Sequence, residues 1–158
     1  MATRRSPSDA PRALILAAGA GTRLRPLTDT CPKPMLPAAD RPILAHQLVL
    51  LREHGIRDIA INLHHCPDVI TRYFGDGAAF GVRLTYSYEP TLLGTAGAVR
   101  ELAWFFDDTF LVLYGDVLTD LNLTALLERH RALDACATVA LYEVDEPSRC
   151  GIVELDAD

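Results

Sequence analysis

The chain alternates short apolar segments rich in β-forming residues with segments of helical periodicity, and this alternation predicts the α/β class. The first and fourth apolar segments are almost continuously apolar, as expected of strands covered on both faces. We therefore predict an open, Rossmann-like, mostly parallel sheet with right-handed crossovers and helices on both faces. The predicted strands are Ala13–Ala17, Asp58–Leu63, Arg83–Tyr88, Thr109–Tyr114, Ala137–Tyr142 and Gly151–Leu155, and the predicted helices are Ile43–His54, Asp68–Phe74, Thr95–Phe105 and Leu123–Arg131.

In open sheets of this kind, ligands bind outside the carboxyl ends of the strands. The segments that follow the first, third and fourth predicted strands are 18–35, 89–97 and 115–120, and they carry the least ordinary chemistry of the chain. We therefore expect the functional site to be built from these three segments.

The loop after the first strand has the composition of a phosphate-binding segment. Its glycines, at 19 and 21, let backbone N–H groups approach an anion without an intervening Cβ. Thr22 adds a hydroxyl group, Arg23 and Arg25 add forked cations suited to phosphate oxygens, and Lys33 stands between two prolines that restrict its backbone. A glycine turn beside a solvated basic loop is the alternative interpretation.

Two widespread phosphate loops do not match this segment. The dinucleotide fingerprint G-x-G-x-x-G/A has Leu24 at its third position, and Pro26 follows where a crossover helix should begin. The Walker loop requires G-x-x-x-x-G-K-[ST], whereas Gly21 is followed by Thr22 and Arg23. A dinucleotide-binding oxidoreductase is therefore a poor alternative, and the segment is a phosphate loop of another kind.

The stretches "LAAGAGTRLRPLT" and "PKPM" together resemble the signature of the sugar-phosphate nucleotidylyltransferases, also called NDP-sugar pyrophosphorylases. "YEPTLLGTAGAV" resembles the loop with which that family reads base and sugar, and "LVLYGDVLTDLNL" resembles its metal-aspartate segment. The resemblance runs from about Ala13 to the last residue and is nearest to the mannose-1-phosphate guanylyltransferase-like branch. It implies the nucleotidyltransferase, GT-A-like form of the α/β fold.

The resemblance implies a reaction in which a sugar 1-phosphate attacks the α-phosphorus of a nucleoside triphosphate in line and pyrophosphate leaves. It assigns Arg23 to the transition state and the leaving pyrophosphate, and Lys33 to the α-phosphate and the incoming phosphate. It also implies nucleotide contacts from the first loop and from a second glycine-containing loop, in which Thr95 is placed to cap the following helix. The residues implied in nucleotide binding are Ala17, Ala18, Gly19, Ala20, Gly21, Thr22, Glu89, Gly94 and Thr95.

Asp116 follows an apolar strand and a glycine, a position from which its carboxylate can hold Mg²⁺ against phosphate oxygens. An aspartate that caps a turn is the alternative, and the phosphate loop elsewhere in the chain favours the metal site. Asp116 is thus both a catalytic and a metal-ligating candidate, and Asp120 is expected to be an ordinary turn residue.

Glu89 occupies the position that the resemblance assigns to base recognition. One carboxylate can accept hydrogen bonds from both N1–H and the amino group of guanine, whereas uracil and thymine present one donor beside two acceptors. Glu89 therefore favours GTP, and with it mannose 1-phosphate. A glucose-1-phosphate enzyme using UTP or dTTP stays open, as does a merely solvated glutamate at the end of a strand.

The family pattern continues beyond this chain into a glutamate-lysine-proline motif and a second metal-binding aspartate. The glutamate-lysine-proline motif does not occur here, since Lys33 is the only lysine, and the segment with the second aspartate does not occur before the last residue, Asp158. We expect residues 13–158 to be the nucleotide-binding portion of a catalytic domain without its C-terminal part, preceded by a disordered polar tail at 1–12. Such a portion leaves apolar sheet surface uncovered, which predicts poor solubility or self-association. A non-catalytic regulatory subunit that senses nucleotide sugars is the alternative function.

Charge and cysteine usage restrict the remaining classes. A net charge of −6 argues against a broad surface for nucleic acid or anionic membranes. The cysteines at 31, 66, 136 and 150 match no zinc or disulfide spacing, so we expect reduced thiols in a cytoplasmic protein. The short run His64-His65-Cys66 is expected to be the end of a strand entering a loop rather than a metal site. The apolar core near the N-terminus is too short for an export signal.

Overall fold

A computed structural model of the chain describes residues 10–146, 148 and 151–154, in two compact units that divide between Leu121 and Asn122. Most of the predicted tail, Cys150 and the end of the last predicted strand lie outside the described residues. No helix in the described part is long and apolar enough to cross a membrane.

The first unit contains a four-stranded parallel sheet, as predicted, and a separate two-stranded antiparallel ribbon. The strands are β1 (Arg12–Leu16), β2 (Pro37–Ala38), β3 (Arg41–Pro42), β4 (Asp58–Leu63), β5 (Arg83–Tyr88) and β6 (Phe110–Tyr114). The strand order of the parallel sheet is β5-β4-β1-β6, so the chain builds outward from β1 on one side and then places β6 on the other side. The ribbon, β2-β3, leads into the first helix.

The core of this unit lies on both faces of β1. Ala13, Leu14 and Ile15 are all fully buried, and because successive side chains of a strand point to opposite faces, both faces are covered. On one face Leu14 packs in a cluster with Ala98 and Leu102. Their burial holds the carboxyl end of β1, and therefore the loop after it, in a fixed place.

The helices are α1 (Ile43–Glu53), α2 (Pro67–Phe74), α3 (Gly94–Glu101) and, in the second unit, α4 (Leu123–Ala132). In α1 the apolar stripe of Leu44, Leu48 and Leu51 is fully buried, and the helix stops before Gly55, which has a φ of 78°. The predicted helix Thr95–Phe105 is wrong in its bounds, because the α-helix ends at Glu101 and a short 3-10 turn, Ala103–Phe105, follows it.

The second unit begins at the N-cap of α4, where Asn122 accepts a hydrogen bond from Ala125 N at 3.0 Å. The predicted strand Ala137–Tyr142 is wrong, and residues 151–154 of the last predicted strand are not in a strand either. Val139 and Ile152 are each 73% exposed. Apolar alternation alone does not make a strand, because a strand also needs a neighbour for its backbone groups, and no described strand pairs with these segments.

Candidate functional site

A cleft of about 390 Å³ lies at the carboxyl ends of the parallel strands, where the strand order reverses around β1. All three segments singled out in the sequence contribute to it. Of the residues singled out for the site, only Ala20 and Arg25 do not line the cleft. The others do: Ala17, Ala18, Gly19, Gly21, Thr22, Arg23, Lys33, Glu89, Gly94, Thr95 and Asp116.

The loop after β1 is held by buried polar contacts at both ends. Ala17 N donates to Asn62 Oδ1 at 2.7 Å, and Thr28 Oγ1 donates to the carbonyl of Gly21 at 2.9 Å. Gly21 has a φ of 61°, and a Cβ there would lie 3.0 Å from Thr28 Cγ2, so both conformation and space favour glycine. The loop is therefore set before any ligand arrives.

The two arginines of this loop have different surroundings. Arg23 is exposed and lines the cleft, and among the described residues it has no ion pair or hydrogen-bond partner through its side chain. Arg25 Nε instead lies 3.3 Å from Asp29 Oδ1, and Arg25 does not line the cleft. Arg23, to which the resemblance assigns the phosphate role, is therefore the arginine of this loop that faces the cleft, whereas Arg25 adds its charge beside Asp29 and outside the cleft.

Lys33 and Asp116 meet across the cleft in an ion pair of 2.5 Å between Nζ and Oδ2. Lys33 begins a 3-10 turn, Lys33–Met35, that directly follows Pro32. Asp116 follows Gly115, where a Cβ would lie 2.8 Å from the carbonyl oxygen of Leu16 and 3.2 Å from Pro34 Cγ. Glycine at 115 thus lets the β6 loop pack directly against the backbone of β1 and brings the carboxylate within reach of the lysine.

Gln47 of α1 holds the loop that carries Asp116. Its Nε2 donates to the carbonyls of Tyr114 and Val117, each at 2.6 Å, and its side chain is buried. The two carbonyls flank Asp116 on either side along the chain. One amide from a rigid helix therefore positions the aspartate loop.

Glu89 is 1% exposed, so the alternative of a solvated glutamate at a strand end is wrong. Its Oε1 accepts from Asn62 Nδ2 at 2.8 Å and its Oε2 accepts from Leu93 N at 3.0 Å. The backbone carbonyl of Glu89 lies 2.7 Å from His64 Nδ1. Direct base reading stays a prediction, and each carboxylate oxygen already accepts one internal hydrogen bond.

The second glycine loop places Gly94 and Thr95 on the cleft wall. The predicted capping role of Thr95 is wrong, because α3 begins one residue earlier, at Gly94, and has no side-chain cap. Gly97 lies on the first turn of α3, where a Cβ would come within 2.7 Å of Leu93 Cβ. A larger residue there would displace the loop that precedes the helix.

The run His64-His65-Cys66 leaves β4 and enters a loop, as predicted. His64 reaches Glu89, and His65 Nε2 lies 2.7 Å from the carbonyl of Thr28. Among the described residues no three His, Cys, Asp or Glu side chains gather into a metal-binding group. Asp116 alone still suits Mg²⁺, which proteins commonly hold through one or two carboxylates together with substrate phosphates.

Sequence reasoning missed three buried polar residues that support the cleft, namely Thr28, Gln47 and Asn62. Two of them carry a visible signal. Gln47 interrupts the apolar stripe of α1, and Asn62 interrupts the apolar run that fills β4 after Asp58, one residue before the strand ends. A polar residue at a position where the pattern requires an apolar one is buried only if it has hydrogen-bond partners, which makes it a candidate for support of a site.

Comparison with known proteins gives a consistent picture. A family model described as "Nucleotidyl transferase" matches residues 12–158. The UTP–glucose-1-phosphate uridylyltransferase of Synechocystis sp. is 43% identical over 92% of the chain, and the mannose-1-phosphate guanylyltransferase of Mycobacterium tuberculosis is 40% identical over 92%. The chain spans 41% of the length of each of these two relatives.

A solved structure from Bacillus anthracis, assigned as a glucose-1-phosphate thymidylyltransferase, superposes with a TM-score of 0.72 at 28% identity. The match covers 78% of this chain and 51% of that one. The chain thus shares 43% and 40% of the matched sequence with relatives that bear uridylyl and guanylyl names, and it shares its fold with a structure that bears a thymidylyl name.

Proposed function

Because the chain belongs to the nucleotidyl transferase family, we propose that it serves a sugar-1-phosphate nucleotidylyltransferase reaction, in which a nucleoside triphosphate and a sugar 1-phosphate give an NDP-sugar and pyrophosphate. The observation that carries this proposal is the arrangement of one cleft. A glycine loop, the available cation Arg23 and the pair Lys33–Asp116 all line it. The transfer of a nucleotidyl group from a triphosphate to a sugar phosphate requires groups of these kinds.

The chemistry follows from charge and position. A phosphate oxygen of the sugar 1-phosphate forms a bond to the α-phosphorus, and the bond from that phosphorus to the bridging oxygen of pyrophosphate breaks. Several anionic groups must come together, so the protein contributes mainly orientation and neutralisation of charge. Arg23, with its forked guanidinium, holds the leaving pyrophosphate, and Lys33 holds the α-phosphate toward the attacking oxygen.

Asp116 is the residue that would hold a divalent metal, and Mg²⁺ is the ion that suits a single carboxylate beside phosphates. When bound, such an ion neutralises phosphate charge. Asp116 Oδ2 also lies 2.5 Å from Lys33 Nζ, so a bound ion would share this carboxylate with the lysine.

GTP and mannose 1-phosphate are the substrates we favour. An acidic side chain at position 89 in the cleft wall offers the acceptors that guanine needs. The 40% identical relative named mannose-1-phosphate guanylyltransferase supports the same pair.

UTP and glucose 1-phosphate are the second candidate pair. The observation in its favour is that both oxygens of Glu89 already accept hydrogen bonds from Asn62 and Leu93, which reduces their capacity for a base. The 43% identical relative named UTP–glucose-1-phosphate uridylyltransferase supports this pair.

The deciding experiment measures pyrophosphate release with Mg²⁺ across a panel of GTP, UTP and dTTP, each with mannose 1-phosphate and with glucose 1-phosphate. It is run on the 158-residue chain and on a longer chain of the relatives' length. Release with GTP and mannose 1-phosphate is the expected result. Nucleotide binding without release in the longer chain would instead support a regulatory subunit, and no binding of any triphosphate would remove the proposal.

A further inference from the structure

A buried chain of hydrogen bonds joins three neighbouring strands at the floor of the cleft. Asn62 lies on β4, between β1 and β5 in the sheet. Its Oδ1 accepts from Ala17 N at 2.7 Å, and its Nδ2 donates to Glu89 Oε1 at 2.8 Å. Glu89 Oε2 then accepts from Leu93 N at 3.0 Å. The chain therefore runs from the loop after β1 to the loop after β5 through one asparagine and one glutamate.

The direction of each hydrogen bond is fixed by the two backbone groups at the ends. Ala17 N–H can only donate, so Asn62 must turn its carbonyl oxygen toward it and its amino group toward position 89. Leu93 N–H can also only donate. Position 89 must therefore accept on both of its terminal atoms, and among the amino acids of this length only glutamate does so.

Glutamine at position 89 would leave one donor facing another donor. If its oxygen faces Leu93 N, its amino group meets the amino group of Asn62, and the reverse orientation places the amino group against Leu93 N. The acid at this position is thus required by the internal donors, whatever base enters the cleft.

The loop after β5 depends on this chain for its place. Residues 90–95 are all exposed, and Leu92, Gly94 and Thr95 of this segment line the cleft. Glu89 itself is buried and tied to β4 by its own backbone, because Glu89 N donates to the carbonyl of Leu63 at 2.7 Å. Because Leu93 N donates to the side chain of Glu89, the exposed part of the loop is held in place at this point as well.

We propose that Asn62 is a positioning residue which, through Glu89, couples the phosphate loop at 17–23 to the nucleoside loop at 89–95. Because of this coupling, the internal hydrogen bonds of the folded protein fix the distance between the two loops. The proposed coupling rests on the proposed function only for the identity of the ligands that the two loops bind. A nucleoside triphosphate spans both loops and depends on their spacing, whereas inorganic tripolyphosphate requires only the first loop.

The test exchanges the amide at position 62 and the carboxylate at position 89, first one at a time and then together. Asn62→Asp keeps an acceptor for Ala17 N but sets two carboxylates against each other. Glu89→Gln leaves one donor without an acceptor. The double variant N62D/E89Q restores every bond, because the new carboxylate at position 62 accepts from Ala17 N and from the new amide at position 89. The oxygen of that amide in turn accepts from Leu93 N.

Amide hydrogen exchange at Leu93 gives a readout that needs no ligand. Loss of one hydrogen bond corresponds to about a tenfold to hundredfold change in an opening equilibrium. Each single variant should therefore exchange faster by roughly that factor at Leu93, or at Ala17 where the side chains turn so that the mismatch falls on that amide. The double variant should recover protection close to that of the unaltered chain. Asn122→Asp at the α4 N-cap, where aspartate serves equally well, and Glu53→Gln on exposed α1 surface control for the charge changes.

Calorimetric titration with GTP, UTP and tripolyphosphate gives the second readout. N62D should weaken both nucleotides by about tenfold or more while tripolyphosphate binding changes little, since the bond to Ala17 N is kept. If the unaltered chain binds no triphosphate, the proposed function fails, but amide exchange still decides the coupling. Single variants that match the unaltered chain in exchange at both Ala17 and Leu93, or a double variant no better than either single one, would overturn it.

The double variant also separates the two roles of Glu89. It restores the loop but removes the carboxylate that guanine recognition uses. Recovered affinity for both GTP and UTP with an unchanged ratio means that residue 89 acts through loop position alone. Recovered UTP affinity with lost GTP affinity means that its carboxylate also reads the base, and in both cases the coupling through Asn62 is supported.

Discussion

Lys33 Nζ lies 2.5 Å from Asp116 Oδ2, so the sole lysine of the chain and the predicted metal ligand neutralise each other across the cleft. Both side chains are about one-third exposed, at 32% and 35%. Ion pairs this accessible to water contribute only about 0–1 kcal/mol to folding. The pair therefore contributes little to folding. Its position in the cleft is better explained by the ligands that Lys33 and Asp116 can bind once the two side chains separate.

Substitution of either partner should accordingly affect turnover far more than stability. We expect Lys33→Ala and Asp116→Ala each to lower pyrophosphate release in the longer chain by at least ~10²-fold, the scale of losing one electrostatic stabiliser. The free energy of unfolding, measured in urea, should change by less than about 1 kcal/mol. Unfolding shifts of several kcal/mol with the turnover intact would show that the pair is structural.

The single lysine also provides a direct probe of the ion pair. Reductive methylation with ¹³C-formaldehyde keeps the charge of Lys33 and gives one side-chain resonance, apart from that of the N-terminal amine. We expect this resonance to move when GTP and Mg²⁺ are added, and its starting position to differ in Asp116→Asn. A resonance that is indifferent to saturating nucleotide would place Lys33 away from the phosphates.

Arg23 and Arg25 form a matched pair for testing the phosphate loop. Arg23 lines the cleft without an internal partner among the described residues, whereas Arg25 pairs with Asp29. Arg23→Ala should lower turnover by at least ~10²-fold. Arg25→Ala removes the same charge two residues away and should keep turnover within a few-fold. Equal losses in the two variants would indicate general attraction of the triphosphate rather than a specific contact.

The parallel sheet and most of the cleft could be predicted because they depend on local pattern. Apolar runs mark buried strands, and the rule that ligands bind at the carboxyl ends of parallel strands brings Gly19, Lys33 and Asp116 together without any coordinates. The pairing of Arg25 with Asp29 could not be predicted, because sequence does not tell which of two neighbouring cations faces the cleft. The strand at 137–142 failed because periodicity does not supply the partner strand that the backbone needs.

The burial and the hydrogen bonds of Glu89 also could not be predicted from the sequence. Its chemistry could be read from the acid alone, but its bond to Asn62 depends on a strand that lies 27 residues earlier in the chain and that the sheet sets beside β5. The asparagine that engages it is invisible to motif matching, since a single buried amide has no spacing rule.

Gln47 gives a test of how the aspartate loop is held. Its buried amide donates to the carbonyls of Tyr114 and Val117, and Gln47→Leu would leave both carbonyls without that donor. We expect a loss of about 1–3 kcal/mol in unfolding free energy. Turnover in the longer chain should fall through kcat at saturating Mg²⁺ and triphosphate, because Asp116 is no longer fixed. A stability loss with unchanged kcat would limit Gln47 to a structural role.

Two glycine-to-alanine substitutions should have opposite consequences, because one Cβ would meet protein and the other would meet ligand. At Gly115 a Cβ would lie 2.8 Å from the backbone carbonyl of Leu16, which cannot move aside, so Gly115→Ala should cost about 1–3 kcal/mol of unfolding free energy. At Gly19 nothing lies within 4 Å of the added atom, so Gly19→Ala should keep or slightly raise stability.

Yet the open space at Gly19 lies on the cleft wall, where the proposal places phosphate against bare backbone. Gly19→Ala should therefore weaken tripolyphosphate binding by about tenfold or more while the protein unfolds at the same denaturant concentration. Urea unfolding and calorimetric titration of both variants check the pair. Full tripolyphosphate affinity in Gly19→Ala would remove the loop at 19–21 from the phosphate site, since a methyl group cannot share the space of an oxygen bound to the backbone.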